Sequence, residues 1–161
     1  MENKNKTCCF FGHRTVNVTD GLVKSLREII EDLIVSNGVD TFLFGSNSEF
    51  NDLCLACVSK LKEKYPHIKR IYVRADSPTL SDNHMAFLLR KYEYTYYPQQ
   101  IANAGRATYI KRNYEMIDKS NYCVIYYDSK YLPQRGINSG TKVAYDYAAQ
   151  KGLKIINVFD Y

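Results

Sequence analysis

The chain has 161 residues, 45% hydrophobic and 24% charged, with a formal net charge of +5. That size and balance suit a single globular domain over residues 1–161, and the mild, dispersed positive charge suits anionic ligands without by itself arguing for nucleic acid. No apolar run approaches about 18 residues, which excludes a membrane span or secretory core and leads us to expect a soluble, cytoplasmic protein.

Thr7-Cys8-Cys9-Phe10-Phe11 is too short for a helix core and stops at Gly12-His13-Arg14, so it reads as a buried strand. A helix is predicted from Thr19 or Asp20 to Ser36, with Leu22, Leu26, Ile29, Ile30, Leu33 and Ile34 on one face and Asn37-Gly38 as its stop. Thr41 to Phe44 reads as a second strand, closed by Gly45-Ser46. A second helix follows from Phe50 to Lys64, ended by Tyr65-Pro66. Ile68 to Val73 reads as a third strand. The Lys and Arg residues from Lys60 to Arg74, interleaved with Glu63 and apolar residues, read as a solvated face.

Beyond Ala75 the pattern predicts a helix near Asp82–Lys91, a strand near Tyr94–Tyr97 and a loop from Pro98 to Gly105. A helix from Ala107 to Lys119 comes next, with Ile110, Tyr114 and Ile117 on its inward face and Asn113 beside them. Asn121 to Tyr127 is β-prone, Asp128 to Asn138 is a loop, Gly140 to Gln150 a helix and Ile155 to Phe159 the last strand. This alternation predicts an α/β protein, a Rossmann-like open, mainly parallel sheet with helices on both faces. In such a sheet every strand-to-helix loop opens at one edge, so Gly12-His13-Arg14, Gly45-Ser46-Asn47, Asp128 and Ser139-Gly140-Thr141 should converge there.

A helix start suits a phosphate, and Ser139-Gly140-Thr141 offers one with two hydroxyls; an ordinary Ser N-cap would look the same. Gly45-Ser46 is a feature of the same kind. Neither dinucleotide nor P-loop fingerprints occur. Cys54-Leu55-Ala56-Cys57 has metal or redox spacing. Both cysteines lie on an apolar helical stripe, no second pair exists and the three histidines are scattered, so core packing and no metal site are expected. The 15 tyrosines, with no Trp, read as core and rim. Asn113, turned inward, either fixes a loop or reads a ligand.

Cys8-Cys9-Phe10-Phe11-Gly12-His13-Arg14, Lys62-Glu63-Lys64-Tyr65-Pro66-His67-Ile68-Lys69, Arg112-Asn113-Tyr114-Glu115-Met116-Ile117-Asp118 and Ser139-Gly140-Thr141-Lys142-Val143-Ala144-Tyr145 together resemble the SLOG superfamily. That group includes the DNA-processing protein DprA and the cytokinin-activating LOG enzymes, and the resemblance is strongest to its YpsA-like branch of small bacterial proteins. The resemblance implies a Rossmann-like fold with a pocket for a nucleotide or nucleotide-derived molecule at the strand C-termini. It also makes a homo-oligomer plausible. Two departures narrow what it implies. Ala144 stands where the LOG pattern Pro-Gly-Gly-x-Gly-Thr-x-x-Glu has its glutamate, and alanine cannot serve acid/base chemistry. Gly45-Ser46-Asn47-Ser48-Glu49-Phe50-Asn51 replaces the branch's glycine-rich loop, with Asn51 in the place of an aspartate.

The expectation is thus a binding or sensing protein for an ADP-ribose, NAD or nucleoside-phosphate type of ligand, more a binder than an enzyme, with no cofactor required. Ser139, Gly140 and Thr141 would hold a phosphate, Arg14 would pair with it, and Gly12 and Gly45 would admit close backbone approach. His13, Ser46, Arg112 and Asn113 would complete the pocket. The alternative is a nucleotide N-glycosidase, for which Glu49 and Asp128 are the candidate carboxylates. DprA-like nucleic-acid binding ranks last, because no basic patch stands out.

Overall fold

The computed structural model describes residues 6–130 and 140–161. Strand β1 (Lys6–Gly12) puts Cys8 and Phe10 on one face and Cys9 and Phe11 on the other, all four buried. A strand covered on both faces needs a continuous apolar run rather than an alternating one. With β2 (Val39–Phe44), β3 (Lys69–Val73), β4 (Tyr94–Tyr96), β5 (Tyr122–Tyr126) and β6 (Lys154–Asn157) it forms one sheet in the order β4-β3-β2-β1-β5-β6. Every neighbouring pair is parallel. The fold is α/β and Rossmann-like, as the alternation predicts.

Helices α1 (Asp20–Asn37), α2 (Glu49–Lys64) and α3 (Asp82–Leu88) cover one face, and α4 (Thr108–Asp118) and α5 (Gly140–Gln150) the other. Under the first set, Phe10 stacks on Phe42 and Phe44 at 5.9 and 5.1 Å between ring centroids. Under the second, Cys9, Phe11 and Leu43 meet Met116, Ile117, Ala144 and Ala148. All five cysteines are buried free thiols. Burial pushes the Cys8 and Cys54 thiols well up, which makes them inert packing groups. No helix among the described residues is long and apolar enough to cross a membrane.

Local chemistry sets the boundaries. Thr19 caps α1 by accepting the Leu22 N–H at 3.1 Å, and Gly38 ends it at φ 70°. Helix α3 stops at Leu88, short of the expected Lys91, because the chain tightens: the Arg90 and Lys91 N–H groups donate three residues back, to Phe87 and Leu88. Strand β6 ends at Asn157 instead of Phe159. The Asn157 side chain accepts the Tyr127 N–H at 3.0 Å and the Phe159 N–H at 3.2 Å, turning Val158–Asp160 into a 3-10 turn.

The inward face of α4 differs most from expectation. Arg112, Glu115, Met116 and Ile117 are its buried residues, while Ile110 is 39% exposed and Asn113 and Tyr114 lie half-buried. An apolar-period reading turns charged residues outward; here a cation and a carboxylate point in. Glu115 is satisfied by Tyr96 Oη at 3.3 Å, by Lys119 Nζ at 3.2 Å and by Gln100 Nε2, which ties the turn Gln99–Ile101 to the helix.

Candidate functional site: the C-terminal edge of the sheet

The strand order reverses between β1 and β5, and ligands of open parallel sheets bind where that happens. His13 fills this switch point. It is only 4% exposed, and its Nε2 accepts the Asp128 N–H at 2.9 Å. The ring lies edge-on to Tyr126 at 6.1 Å and tilted against Tyr127 at 6.0 Å. Burial lowers the His13 pKa and the Asp128 carboxylate opposes that shift. The geometry makes His13 a brace between two loops. Arg14 beside it is exposed, and its carbonyl accepts the Glu49 N–H at 2.9 Å.

Glu49 and Asp128, the two carboxylates singled out for glycosidic chemistry, are both engaged with backbone. Glu49 Oε2 accepts the Val16 N–H at 3.0 Å, pinning the β1–α1 loop to the start of α2. Asp128 Oδ1 accepts the Lys130 N–H at 2.9 Å within its own turn.

Gly12 and Gly45 have partners inside the protein. A Cβ on Gly12 would lie 2.4 Å from the Phe50 ring and 2.5 Å from Phe50 Cβ. One on Gly45 would lie 2.8 Å from Met116 Sδ and 2.9 Å from Arg112 Cδ. The close approach these glycines permit is therefore to α2 and α4. The missing side chain at Gly45 opens the space that Arg112 fills.

Arg112 is 4% exposed. Its Nη1 donates to the Val73 carbonyl at 3.3 Å and its Nε to Asn113 Oδ1 at 3.0 Å, so Asn113 orients the guanidinium. Burial lowers the Arg112 pKa, against the pull of Tyr72, Asp76 and Tyr109; a guanidinium stays charged all the same. Among the described residues no carboxylate lies within ion-pair distance of it. Gly140 is exposed and Thr141 buried at the start of α5; Ser139 lies outside the described residues.

A cleft of about 620 Å³ opens at the same edge, over the ends of β2 and β3 and against α3. Of the loops anticipated from sequence it takes Ser46 and Asn47, joined by Tyr72, Arg74, Asp76 and Tyr92. Arg74 is 9% exposed, not part of a solvated face as its run of charges implied. The signal was present in the chain: Arg74 directly follows the third strand, as Arg14 closely follows the first. Tyr72 and Tyr92 stack at 5.2 Å between centroids. Burial and the Asp76 charge raise the Tyr72 pKa, while Arg112 and then Arg74 pull it down, so this phenol sits in the field of both guanidinium groups. Among the described residues no cluster of three or more His, Cys, Asp or Glu could hold a metal ion.

The architecture is that of a doubly wound parallel α/β protein with its polar loops at one sheet edge. No family model and no curated protein matches the chain. A solved structure does: the molybdenum cofactor carrier protein of Chlamydomonas reinhardtii superposes with a TM-score of 0.54 at 14% identity, over 94% of this chain and 75% of that one. The likeness is one of fold.

Proposed function

We propose that this protein binds a small nucleotide-type ligand at the C-terminal edge of its sheet, within the range of NAD, ADP-ribose and nucleoside phosphates. The observation that carries the reading is Arg112: a guanidinium buried beside the end of β3, held by a backbone carbonyl and an amide, with no carboxylate in ion-pair distance among the described residues. Burying a charge without a counter-charge is costly, and an anionic ligand offsets that cost. Arg14 at the surface and the start of α5 at Thr141 add positive potential at the same sheet edge.

Binding is favoured over turnover. Ala144 leaves no carboxylate at the start of α5, Glu49 holds a backbone N–H, and Asp128 closes its own turn. The structural neighbour, a carrier of a molybdenum cofactor, accords with a small-molecule carrier or sensor. The SLOG resemblance supplies the nucleotide class, and a homo-oligomer belongs to the same proposal on that resemblance alone.

Calorimetric titration with ADP-ribose, NAD and AMP tests the reading. At least one should bind, and Arg112→Met should weaken it tenfold or more while the variant stays folded. No heat with any of the three would overturn it.

A further inference from the structure

We infer that the cleft over β2 and β3 is an anion-binding subsite anchored by Arg74, built for the single phosphate of a nucleoside monophosphate. The nucleoside part rests on the function proposed above; the anion subsite stands on its own geometry.

Arg74 and Arg70 leave the same strand, and the contrast between them is informative. Arg70 is fully employed: Nε and Nη2 grip the Glu93 carboxylate at 2.8 to 3.2 Å, and Nη1 donates to Ser59 Oγ at 2.9 Å. Arg74 has more than nine-tenths of its surface buried, yet among the described residues it makes a single side-chain hydrogen bond, from Nη1 to the Ser77 carbonyl at 3.1 Å. Its Nε is buried with no acceptor among the described residues. Among the described residues it has no ion-pair partner. A guanidinium has five N–H donors in a rigid fork that matches phosphate oxygens, so a buried one with donors to spare is short of an anion.

The residue is also held for that task. Its backbone N–H donates to the Tyr96 carbonyl at 2.8 Å, which carries the β3–β4 pairing one step past the strand. A charged group presented from the end of a paired strand is pre-organised, so less entropy is lost on binding. The cleft volume of about 620 Å³ falls within the roughly 300 to 1,000 Å³ of small-ligand pockets.

The other walls narrow the ligand. Ser46 and Asn47 offer short polar contacts, and Tyr72, Tyr92 and Phe87 give an aromatic side suited to a base. Asp52 and Asp76 line the cleft too. Against Arg74 and Lys91 these two carboxylates leave no surplus of positive charge for a polyphosphate, but they accept hydrogen bonds from ribose hydroxyls or an exocyclic amine. One phosphate, a diol and an aromatic ring describe a nucleoside monophosphate. The same charge pattern disfavours a polynucleotide backbone.

The test is equilibrium binding of AMP, adenosine and ATP to the full chain and to Arg74→Gln, joined to a titration of the wild-type protein with inorganic phosphate followed on the arginine Nε–H resonances. AMP should bind at least tenfold tighter than adenosine or ATP, and Arg74→Gln should bring AMP down to the level of adenosine. Phosphate should shift one Nε–H resonance, the one absent from Arg74→Gln. If AMP binds the variant as tightly as the wild type, or adenosine binds as tightly as AMP, the Arg74 anchor is wrong while nucleotide binding stands. If no nucleotide binds, the function proposed above fails and the phosphate titration decides the subsite alone: a shift at Arg74 sustains it, and no shift overturns it. Should Arg74→Gln not fold, Arg74→Lys, which keeps the charge but lacks the Nε–H, assigns the resonance in its place.

Discussion

His13 Nε2 accepts the Asp128 N–H at 2.9 Å across 115 positions of chain. This one bond joins the loops that leave β1 and β5 at the point where the strand order reverses. Accepting at Nε2 places the ring proton on Nδ1 and requires a neutral imidazole. Protonation would put a second donor against the Asp128 N–H and a charge in a buried place.

Stability should therefore depend on pH through His13. Burial holds its folded pKa below the ordinary 6.5, with the Asp128 carboxylate pulling the other way. The unfolded state then binds the proton more readily, so the stability due to neutral His13 is fully present above pH 6.5 and is lost as pH falls from there through the folded value. Urea midpoints between pH 8 and pH 5 should show this fall. His13→Gln keeps an acceptor but cannot titrate, and its profile should be flatter. A profile identical to that of the wild type would exclude His13 as the source. Removing the acceptor with His13→Ala should cost about 1–3 kcal/mol at pH 7, because the Asp128 N–H loses its partner.

Gly12→Ala should destabilise by about 1–3 kcal/mol through overpacking. The new methyl would meet not only the Phe50 ring but Phe50 Cβ at 2.5 Å. Trimming the ring should therefore not rescue it: Gly12→Ala should cost as much in a Phe50→Leu background as in the parent. Gly45→Ala meets two buried side chains, Met116 at Sδ and Arg112 at Cδ, the second held by its hydrogen bonds to Val73 and Asn113. Its stability cost should also be about 1–3 kcal/mol, but here displacement of Arg112 weakens nucleotide binding as well. Paired denaturation and titration of the two variants separate the packing glycine from the one that seats a guanidinium.

These contrasts show what the sequence could and could not convey. Helices α1 and α2 were legible because their apolar period and stops agree: Thr19, Gly38 and Tyr65-Pro66 act locally, and local chemistry can be read locally. Strand β1 was legible because a strand buried on both faces is a bare apolar run. The meeting of the loops after β1, β2 and β5 followed from alternation alone. What α4 buries was not legible, because Arg112 turns inward only where Gly45, far away in the chain, leaves room for it. The role of Gly12 was hidden for the same reason: glycine announces a close approach but not to what, and here the answer is Phe50. Arg74 lay inside a run of charges that looks solvated, and its burial depends on the loop to α3 folding over the end of β3.

Glu93 should give the chain an acid-sensitive joint away from the site. Burial by itself would raise its pKa, but hydrogen bonds from Arg70 and Lys62 outweigh that and hold the carboxyl below its ordinary 4.5. Its contribution is thus present above pH 4.5 and is lost as pH falls through the lower folded value. Glu93→Gln should cost about 1–2 kcal/mol at pH 7, a charge-assisted bond discounted for partial exposure, and should flatten the acid limb of the stability curve. Ligand affinity should not change, since Glu93 directly precedes β4 and so lies at the edge of the parallel sheet opposite the cleft.

Arg112→Met separates stability from binding most sharply. The guanidinium gives two hydrogen bonds, to the Val73 carbonyl and to Asn113, and in exchange carries a buried charge with no carboxylate in ion-pair distance among the described residues. Replacing such a charge by an apolar side chain of similar length removes the desolvation penalty along with the bonds, and the two effects are of similar size. The apo variant should therefore lie within about 1 kcal/mol of the parent in urea denaturation, while losing tenfold or more in nucleotide affinity. A large loss of stability without ligand would mean that Arg112 is a strut whose bonds outweigh its charge. An unchanged affinity would show that the anion is held elsewhere. Stability retained with affinity lost would mark Arg112 as a residue kept buried at a cost for the sake of a ligand.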